Sequence, residues 1–358
     1  MKVGMLTSGG DCQGLNAALR GVAKTLYNEF GDKLTLYGIR DGYRGLIEGD
    51  YHKMELEDFS DILTMGGTIL GTSRQPFKTM QVKSEDDEET KLEKMLKTIK
   101  DAKFDCLVIL GGNGTHKTAN LLSEHGVNVV TLPKTIDNDL WGTELTFGFQ
   151  SAVDIATTVI DSIHSTAFSH SRVFIVEVMG HKAGWLTLYA GIASGADVIV
   201  IPEIPYSAKA IAKAIQNREK NGKRFSIIAV AEGAISQEEA QMGKKAFKAA
   251  REAMPYPSIS YRLAAELKEL TGQESRVTLP GHFQRGGAPC PADRLLTSRL
   301  GVAAAQLIRD GKFGNMVAVQ DDKIVPVPLS EVAGKLKTVP PDCEIVQAAR
   351  DLGLSMGD

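Results

Sequence analysis

Short apolar runs alternate with longer amphipathic stretches along this chain of 358 residues. Runs that are rich in valine and isoleucine, and that are separated by helix-sized segments, are typical of parallel sheets covered on both faces. The pattern therefore predicts an α/β fold with mainly parallel sheets. The predicted strands are residues 3–7, 34–39, 105–110, 127–132, 173–178, 198–201, 225–231 and 316–319.

Amphipathic segments predict helices between these strands. Residues 16–29 follow the first strand, and residues 236–251, rich in alanine, lysine and glutamate, predict a helix with a solvated surface. A third helix is predicted to begin at Ser84, which would cap a first turn of acidic residues, because apolar residues recur at helical spacing within residues 92–99.

Composition and charge exclude several classes of protein. The net charge of -3 shows no basic excess, so binding to nucleic acid through its charge is not expected. The four cysteines lie far apart without a paired motif, which excludes a disulfide framework and a zinc knuckle. No apolar run approaches the ~20 residues of a membrane span, and glycines interrupt the start of the chain too early for a signal peptide. We expect a cytoplasmic enzyme without nucleic-acid or membrane partners.

Two glycine-rich turns each lie between a predicted strand and a predicted helix, at residues 7–11 and 111–115. Glycine lets the backbone approach a phosphate closely, and the following helix offers free N–H groups and a partial positive charge. Neither turn is a P-loop or a complete dinucleotide fingerprint, and each on its own could be a tight turn without a ligand. The two together predict phosphate binding at the carboxyl ends of the strands.

An acidic segment, residues 133–139, directly follows another predicted strand. If this segment is extended, Thr135, Asp137 and Asp139 project to one side. Two close carboxylates repel each other, which raises the pKa of one and suits either metal binding or proton abstraction. The alternative is a solvated turn without chemistry.

Arginines and histidines form a third group, which includes Arg74, Arg172, Arg276, His282 and Arg285. Arginine matches phosphate oxygens with two hydrogen bonds, although a single arginine is usually a surface residue. Phosphate-binding turns, a carboxylate pair and several arginines are the parts that phosphoryl transfer needs.

Six segments, in order, resemble the motifs of the 6-phosphofructokinase family, in its bacterial A-type, mixed-substrate-like group. They are residues 4–11, 66–74, 111–115, 133–139, 176–180 and 281–287. The resemblance runs to about residue 320, with an apparent insertion between Ile235 and Arg262. It implies two α/β domains with mainly parallel sheets. The larger, donor-binding domain would be residues 1–147 and 282–334, and the smaller, sugar-phosphate domain residues 148–281 and 335–358.

The resemblance also implies a reaction: phosphoryl transfer from ATP, with Mg²⁺, to the 1-hydroxyl group of D-fructose 6-phosphate, giving fructose 1,6-bisphosphate in glycolysis. Asp137 would be the base, Asp139 would support it and the metal, and Arg74 would face the transferring group. The donor would contact Gly10, Arg74, Gln75, Gly112, Asn113, Gly114 and Thr115. The sugar phosphate would contact Thr135, Ile136, Asp137, Arg172, Met179, Gly180, His181, Glu232, Arg276, His282, Phe283, Gln284 and Arg285.

Two positions bear on the choice of donor. Gly114 stands where pyrophosphate-using relatives carry an aspartate that fills the space of the ATP α-phosphate, whereas Lys134 stands where those relatives have lysine. Some ATP-dependent members also keep the lysine. A blocked α-phosphate cannot bind at all, so we expect ATP, with pyrophosphate as the alternative donor.

One departure from the family pattern concerns the metal. Asn113 stands where the family usually has an acidic residue associated with Mg²⁺, and it offers only a carbonyl oxygen. A weakly active or regulatory nucleotide-binding member is therefore a further alternative. In the family, Arg172 and Arg276 reach across from a neighbouring subunit, which implies a homotetramer or a homodimer with shared active sites.

Overall fold

The computed structural model of this chain describes residues 1–83 and 88–358. The chain forms two units, and each unit is built from two chain segments. The first unit is Met1–Ser151 with Arg285–Lys337, and the second is Ala152–Gln284 with Thr338–Asp358.

The strands are numbered in chain order. They are β1 (Lys2–Thr7), β2 (Thr35–Ile39), β3 (Tyr51–Met54), β4 (Cys106–Gly111), β5 (Val129–Thr135), β6 (Phe147–Gly148), β7 (Val173–Val178), β8 (Val198–Val200), β9 (Ser226–Ala231), β10 (Ser275–Thr278), β11 (Asn315–Gln320) and β12 (Lys323–Pro328).

The α-helices are numbered in the same way. They are α1 (Leu15–Phe30), α2 (Tyr43–Glu48), α3 (Lys91–Ala102), α4 (Asn113–Glu124), α5 (Phe149–His170), α6 (Trp185–Ala193), α7 (Ala208–Lys220), α8 (Gln237–Ala240), α9 (Lys244–Glu252), α10 (Ile259–Thr271), α11 (Pro291–Arg309), α12 (Leu329–Val332) and α13 (Glu344–Asp351). Short 3₁₀ helices are formed by Gly31–Lys33, Leu56–Phe59, Phe77–Thr79 and Gly281–Arg285.

A mixed sheet forms the centre of the first unit. Its strands lie in the order β12-β11-β5-β4-β1-β2-β3, and β6 pairs with β5. The inner strands run parallel, whereas β12 and β3 at the two edges pair antiparallel with their neighbours. The residues of β1 and β4 are almost wholly buried, as expected for a parallel sheet that is covered on both faces.

Helices α1 and α11 pack against each other in the first unit. At their closest point, a Cβ added to Gly301 would lie 2.8 Å from the Cα atom of Gly21, so only glycine allows this approach. Helix α1 follows the first glycine-rich turn, and α11 follows the segment that carries Arg285. Their tight packing therefore holds these two segments of the predicted site.

The second unit is built on a parallel sheet with the strand order β10-β7-β9-β8. A hydrophobic core of strand residues and of residues from α7 and α10 lies beside this sheet. The α/β class with mainly parallel sheets, which the sequence predicts, is confirmed. Among the helices that the structure describes, none is both long enough and apolar enough to cross a bilayer.

Two predicted helices differ from the structure. The helix predicted from Ser84 begins at Lys91, because Thr90 accepts a hydrogen bond from the backbone N–H of Glu93 and forms a capping box with it. Ser84 itself lies outside the described residues. The predicted helix 236–251 is two helices, α8 and α9, which are separated at Gly243.

The units change at slightly later positions than the predicted domain boundaries at residues 147, 281 and 334. Gln284 is the last residue of its segment in the second unit, and its side chain accepts a hydrogen bond from the backbone N–H of Met179. Lys337 is the last residue of its segment in the first unit, and its side chain donates to Asn138, Thr143 and Glu144. The assignment of one domain to the donor and the other to the sugar stays a prediction.

Candidate active site

Three predicted motif loops follow three neighbouring strands of the first unit. Strands β1, β4 and β5 are parallel and adjacent, with Thr7 beside Leu110 and Gly111 beside Pro133. Their carboxyl ends lie at one edge of the sheet, so the first glycine turn, the second glycine turn and the acidic segment come together there. This edge is where open α/β sheets bind ligands.

The turn after β1 is held by the segment that leads to Arg74. The backbone N–H of Gly9 donates to the carbonyl of Ser73 at 3.1 Å, and the hydroxyl of Thr72 donates to the carbonyl of Gly9 at 2.7 Å. Arg74 follows directly and is exposed, while Gln75 accepts a hydrogen bond from Lys91. The structure thus brings Arg74 beside the first glycine turn.

Two cations lie against Gly10. A Cβ added to this glycine would lie 2.8 Å from Nη1 of Arg285, so the guanidinium group occupies the space of the missing side chain. The ammonium group of Lys134 donates a hydrogen bond to the carbonyl of Gly10. Lys134 is only 4% exposed, and this burial lowers its pKa. The turn is therefore positively charged on two sides.

The second glycine turn starts helix α4. Gly112 is the N-cap residue and carries no side chain to cap the helix, so the first N–H groups of α4 point to the end of the strand without a side-chain partner at that position. Gly114 is exposed, and a Cβ added there would meet no atom within 4 Å. Thr115 is buried, and its carbonyl accepts a hydrogen bond from the hydroxyl of Tyr43 at 2.8 Å.

His116 lies one residue beyond this turn and is wholly buried. Its Nδ1 atom lies 2.9 Å from the carbonyl oxygen of Gly112. Burial lowers the pKa of His116 to about 4, so the ring is neutral at neutral pH.

The amide group of Asn113 has a defined orientation. Its Nδ2 atom donates a hydrogen bond to the carbonyl of Lys335, in the last segment of the first unit. The other atom of the amide, Oδ1, is the group that remains to accept a donor or a cation.

The acidic segment turns where the sequence analysis considered an extended chain. Strand β5 ends at Thr135, and Asn138 adopts a positive φ of 50°. This conformation is one that asparagine tolerates well. The Oδ1 atom of Asn138 accepts a hydrogen bond from the backbone N–H of Thr146 at 3.0 Å, and the hydroxyl of Thr146 donates to the carbonyl of Thr135 at 2.7 Å.

The two carboxylates of this turn have different surroundings. Asp137 is half-buried, whereas Asp139 is 6% exposed. Burial, and secondly the negative charge of Asp137, raise the pKa of Asp139 to about 6. The side chain of Ile136 is buried, so only its backbone is placed to meet a ligand.

Lys337 is a part of the site that the sequence analysis missed. Its ammonium group donates to Oδ1 of Asn138 at 3.0 Å and to the carbonyls of Thr143 and Glu144 at 2.9 and 2.8 Å. Its own backbone N–H donates to the carbonyl of Asp139 at 2.9 Å. No local motif surrounds Lys337, so the sequence held no signal that could have identified it.

The second unit carries another group of predicted residues, at the carboxyl ends of β7 and β9. One carboxylate oxygen of Glu232 accepts hydrogen bonds from the backbone N–H groups of Gly180 and His181, at 3.3 and 2.8 Å. Gln284 is wholly buried and holds the backbone of Met179 at 3.2 Å. This hydrogen bond shapes the loop, and the contact of Gln284 with the sugar stays a prediction.

Arg172 and Arg276 lie at the opposite end of the same sheet. Arg172 directly precedes β7, and Arg276 pairs with the second residue of that strand. Because β7 spans six residues and Arg276 lies beside its second residue, about 15 to 20 Å of strand separates the two arginines from the Glu232 loop. Both arginines are exposed. The structure therefore does not bring them together with Met179, Gly180 and His181 within this unit.

The remaining residues of the predicted sugar site differ in exposure. His282 is exposed, Phe283 is 80% exposed, and Thr135 is half-buried, with its hydroxyl 3.1 Å from the backbone nitrogen of Asp137. Within the described parts of the chain, no three histidine, cysteine or acidic side chains cluster as a metal cage.

Comparisons with known proteins identify the family of this chain. The sequence model of the family described as phosphofructokinase matches residues 2–308. The ATP-dependent 6-phosphofructokinase of Spirochaeta thermophila is 55% identical, over 99% of this chain and 97% of that protein. The pyrophosphate–fructose 6-phosphate 1-phosphotransferase of Amycolatopsis methanolica is 43% identical, over 96% of this chain and 97% of that protein.

A solved structure shares the fold. The crystal structure of the phosphofructokinase of Pichia pastoris in the T-state matches 92% of this chain and 35% of that longer chain, with a TM-score of 0.79 and 32% sequence identity.

Proposed function

We propose, because this chain belongs to the phosphofructokinase family, that it is an enzyme that transfers the terminal phosphoryl group of ATP to the 1-hydroxyl group of fructose 6-phosphate. The products are fructose 1,6-bisphosphate and ADP, and the reaction is a step of glycolysis. The observation that carries this proposal is the meeting of two glycine turns and the acidic turn at the ends of β1, β4 and β5.

The first unit holds the groups that we assign to the donor. Gly10, the first N–H groups of α4 and the side chain of Arg74 receive the phosphates, since helix N-termini and arginines are suited to anions. Gly114 leaves space beside the helix start, because no atom lies within 4 Å of the position of its missing Cβ. We assign this space to the α-phosphate of ATP.

Asp137 is the group that we assign as the base. It is the more accessible carboxylate of the acidic turn, and it takes the proton of the attacking hydroxyl group as the new O–P bond forms. Asp139 is nearly buried beside it, and its charge supports the same turn. Thr135 fixes the entry to the turn through its hydroxyl group.

The oxygen groups of the acidic turn and of Asn113 fit the ligand preferences of Mg²⁺. This ion commonly takes one or two carboxylates together with substrate phosphates and waters, and it does not need a cage of protein ligands. Asp139 and the amide oxygen of Asn113 are oxygen groups of that kind, which leaves Asp137 to take the proton. When bound, Mg²⁺ supplies positive charge that neutralises the phosphates.

The residues that we assign to the sugar include those of the second unit. Glu232 shapes the loop of Met179, Gly180 and His181, so this loop can present polar groups at fixed positions. Arg172 and Arg276 lie at the other end of β7, and we infer that they serve the site of a neighbouring subunit. A homodimer or a homotetramer in the cytoplasm follows as a proposal.

The experiment that tests the proposal measures turnover of fructose 6-phosphate with each of two donors over a Mg²⁺ titration. We expect turnover with ATP to exceed turnover with pyrophosphate and to depend on Mg²⁺. If fructose 1,6-bisphosphate forms with neither donor, the proposal of an enzyme is rejected. A nucleotide-binding regulatory protein would then be the remaining alternative.

Pyrophosphate is the alternative donor, and Lys134 is the observation that favours it. Its buried ammonium group lies under the Gly10 carbonyl, where it adds positive charge to the phosphate-binding turn. This charge serves ATP equally well, so the space at Gly114 decides for ATP. Faster turnover with pyrophosphate would reverse the choice.

A further inference from the structure

The last segment of the first unit connects two loops of the proposed site. We call residues 335–337 the tether. They lie beyond residues 2–308, which the family model matches. Leu336 forms an isolated antiparallel bridge with Leu140, immediately after the acidic turn. The tether therefore runs beside the turn that carries Asp137 and Asp139.

The tether contacts the second glycine turn through its first residue, Lys335. The carbonyl of Lys335 accepts the hydrogen bond from the amide of Asn113, and the ammonium group of Lys335 lies 5.9 Å from the ring centre of Trp141. A carboxylate at position 113 would place two acceptors against each other, whereas asparagine supplies the donor that this carbonyl needs. The asparagine is thus matched to the tether.

The tether contacts the acidic turn through its last residue. A lysine ammonium group has three N–H donors, and Lys337 has an acceptor for each of them in Asn138, Thr143 and Glu144. Asn138 lies between the two aspartates and has a positive φ. Fixing its side chain therefore fixes the backbone on which both carboxylates stand.

We propose that Lys337 is a positioning residue for phosphoryl transfer. In this proposal the tether holds the second glycine turn, through Asn113, and the acidic turn, through Asn138, at a fixed separation. The inference rests on the proposed function, in which Asp137 acts on the sugar hydroxyl group. Lys337 touches no substrate in this account. It acts on the geometry of the turn, and a displacement of about 1 Å in such a site costs roughly 100-fold in rate.

The test is the steady-state kinetics of the Lys337→Met protein with ATP and fructose 6-phosphate. We expect kcat to fall by about 10- to 100-fold, with both KM values within about threefold of the original, because geometry is lost and the binding groups remain. Lys2→Met is the matched control. Lys2 also donates to a carbonyl, that of Ala102, but at the start of β1, away from the site.

Two further measurements distinguish a positioning role of Lys337 from a role in folding stability alone. They are the melting temperature of each variant and the effect of a second substitution. Asn138→Gly removes the one side-chain acceptor of the three that Lys337 uses, and it permits the positive φ. We expect the double variant to lose less activity than the product of the two single losses, because both substitutions break the same contact. Partial recovery of kcat in Lys337→Arg is expected, since arginine keeps the donors and the charge.

Unchanged kcat in a folded Lys337→Met protein would overturn the inference. If Lys337→Met does not fold, Asn138→Gly carries the test, and full activity of that variant would overturn it equally. Failure of the proposed function looks different: the unsubstituted protein would then form fructose 1,6-bisphosphate with neither donor, before any substitution at Lys337 is compared.

Discussion

The guanidinium group of Arg285 fills the space that the missing side chain of Gly10 leaves, with Nη1 2.8 Å from the position of an added Cβ. The two residues are distant in sequence, and the packing of α1 against α11 holds the segments on which they lie. The glycine is thus required by the arginine. A substitution at either residue changes the same part of the site.

Replacing Arg285 by alanine is expected to raise the KM for fructose 6-phosphate by about 10- to 100-fold, because the sequence assigns Arg285 to the sugar phosphate. The effect on kcat should be smaller, since this charge-assisted contact is made equally in the ground state and in the transition state. Gly10→Ala should reproduce part of this effect, since the added Cβ displaces the guanidinium group. Steady-state kinetics with each substrate varied in turn measures both. A rise in the KM for ATP alone would move Arg285 to the donor.

Replacing Asp137 by asparagine is expected to lower kcat by about 10² to 10⁴, the range for the loss of a general base. Binding of the sugar phosphate should persist, because the amide has the same shape as the carboxylate. Turnover and equilibrium binding of fructose 6-phosphate are the measurements. Nearly normal turnover would show that another group takes the proton.

Replacing Gly114 by aspartate is expected to reduce turnover with ATP sharply, because a carboxylate would crowd and repel the α-phosphate. Folding should be unaffected, since no atom lies within 4 Å of the added Cβ. Gly114→Ala is the matched control, which adds the Cβ without the charge. The two-donor assay reports the result, and equal use of ATP by Gly114→Asp and Gly114→Ala would contradict the assignment of this space.

Mixing two impaired variants is expected to restore activity, because we propose that Arg172 and Arg276 serve another subunit's site. One protein carries Asp137→Asn, and the other carries Arg172→Ala with Arg276→Ala. After dissociation and reassociation, a dimer with shared sites would recover about a quarter of the original turnover, since half of the dimers are hybrids with one intact site. No recovery would mean that each chain supplies all of these residues to its own site.

His116 is expected to make the protein less stable as the pH falls. Its pKa is about 4 in the folded chain, against 6.5 as the ordinary value, so between these values the unfolded chain binds the proton and the folded chain does not. Stability from this group is complete above pH 6.5 and is lost towards pH 4, by about 3 kcal/mol. Denaturant unfolding at several pH values, compared with His116→Asn, isolates the effect; parallel curves for the two proteins would exclude it.

The fold and the motif loops could be predicted because their signals are local. The apolar runs that end at Thr7 and before Gly111 define buried strands, and the glycines that follow define the turns. The parallel order of these strands then brings the loops to one edge. Helix α3 shows the limit of local signals: its start depends on which of several possible caps, Thr90 or an earlier residue, is used.

The acidic turn and its tether could not be predicted, because their contacts join distant residues. Lys337 and Asn138 are separated by 199 positions, and no sequence motif contains both of them. An extended path was the simplest expectation for residues 133–139. The hydrogen bonds to the side chain of Asn138 instead stabilise a positive φ, and only the folded chain supplies them.

Helix α4 begins at a residue that cannot cap it, and this has a consequence for its dynamics. The first N–H groups of the helix therefore lack a side-chain acceptor at the N-cap, and an anion that binds there would supply acceptors in its place. Part of the affinity for the nucleotide then comes from hydrogen bonds that the first N–H groups of α4 donate to it. Hydrogen exchange of the amides near Asn113 should accordingly slow when the donor is added, and the first turn should be the part of α4 that responds most.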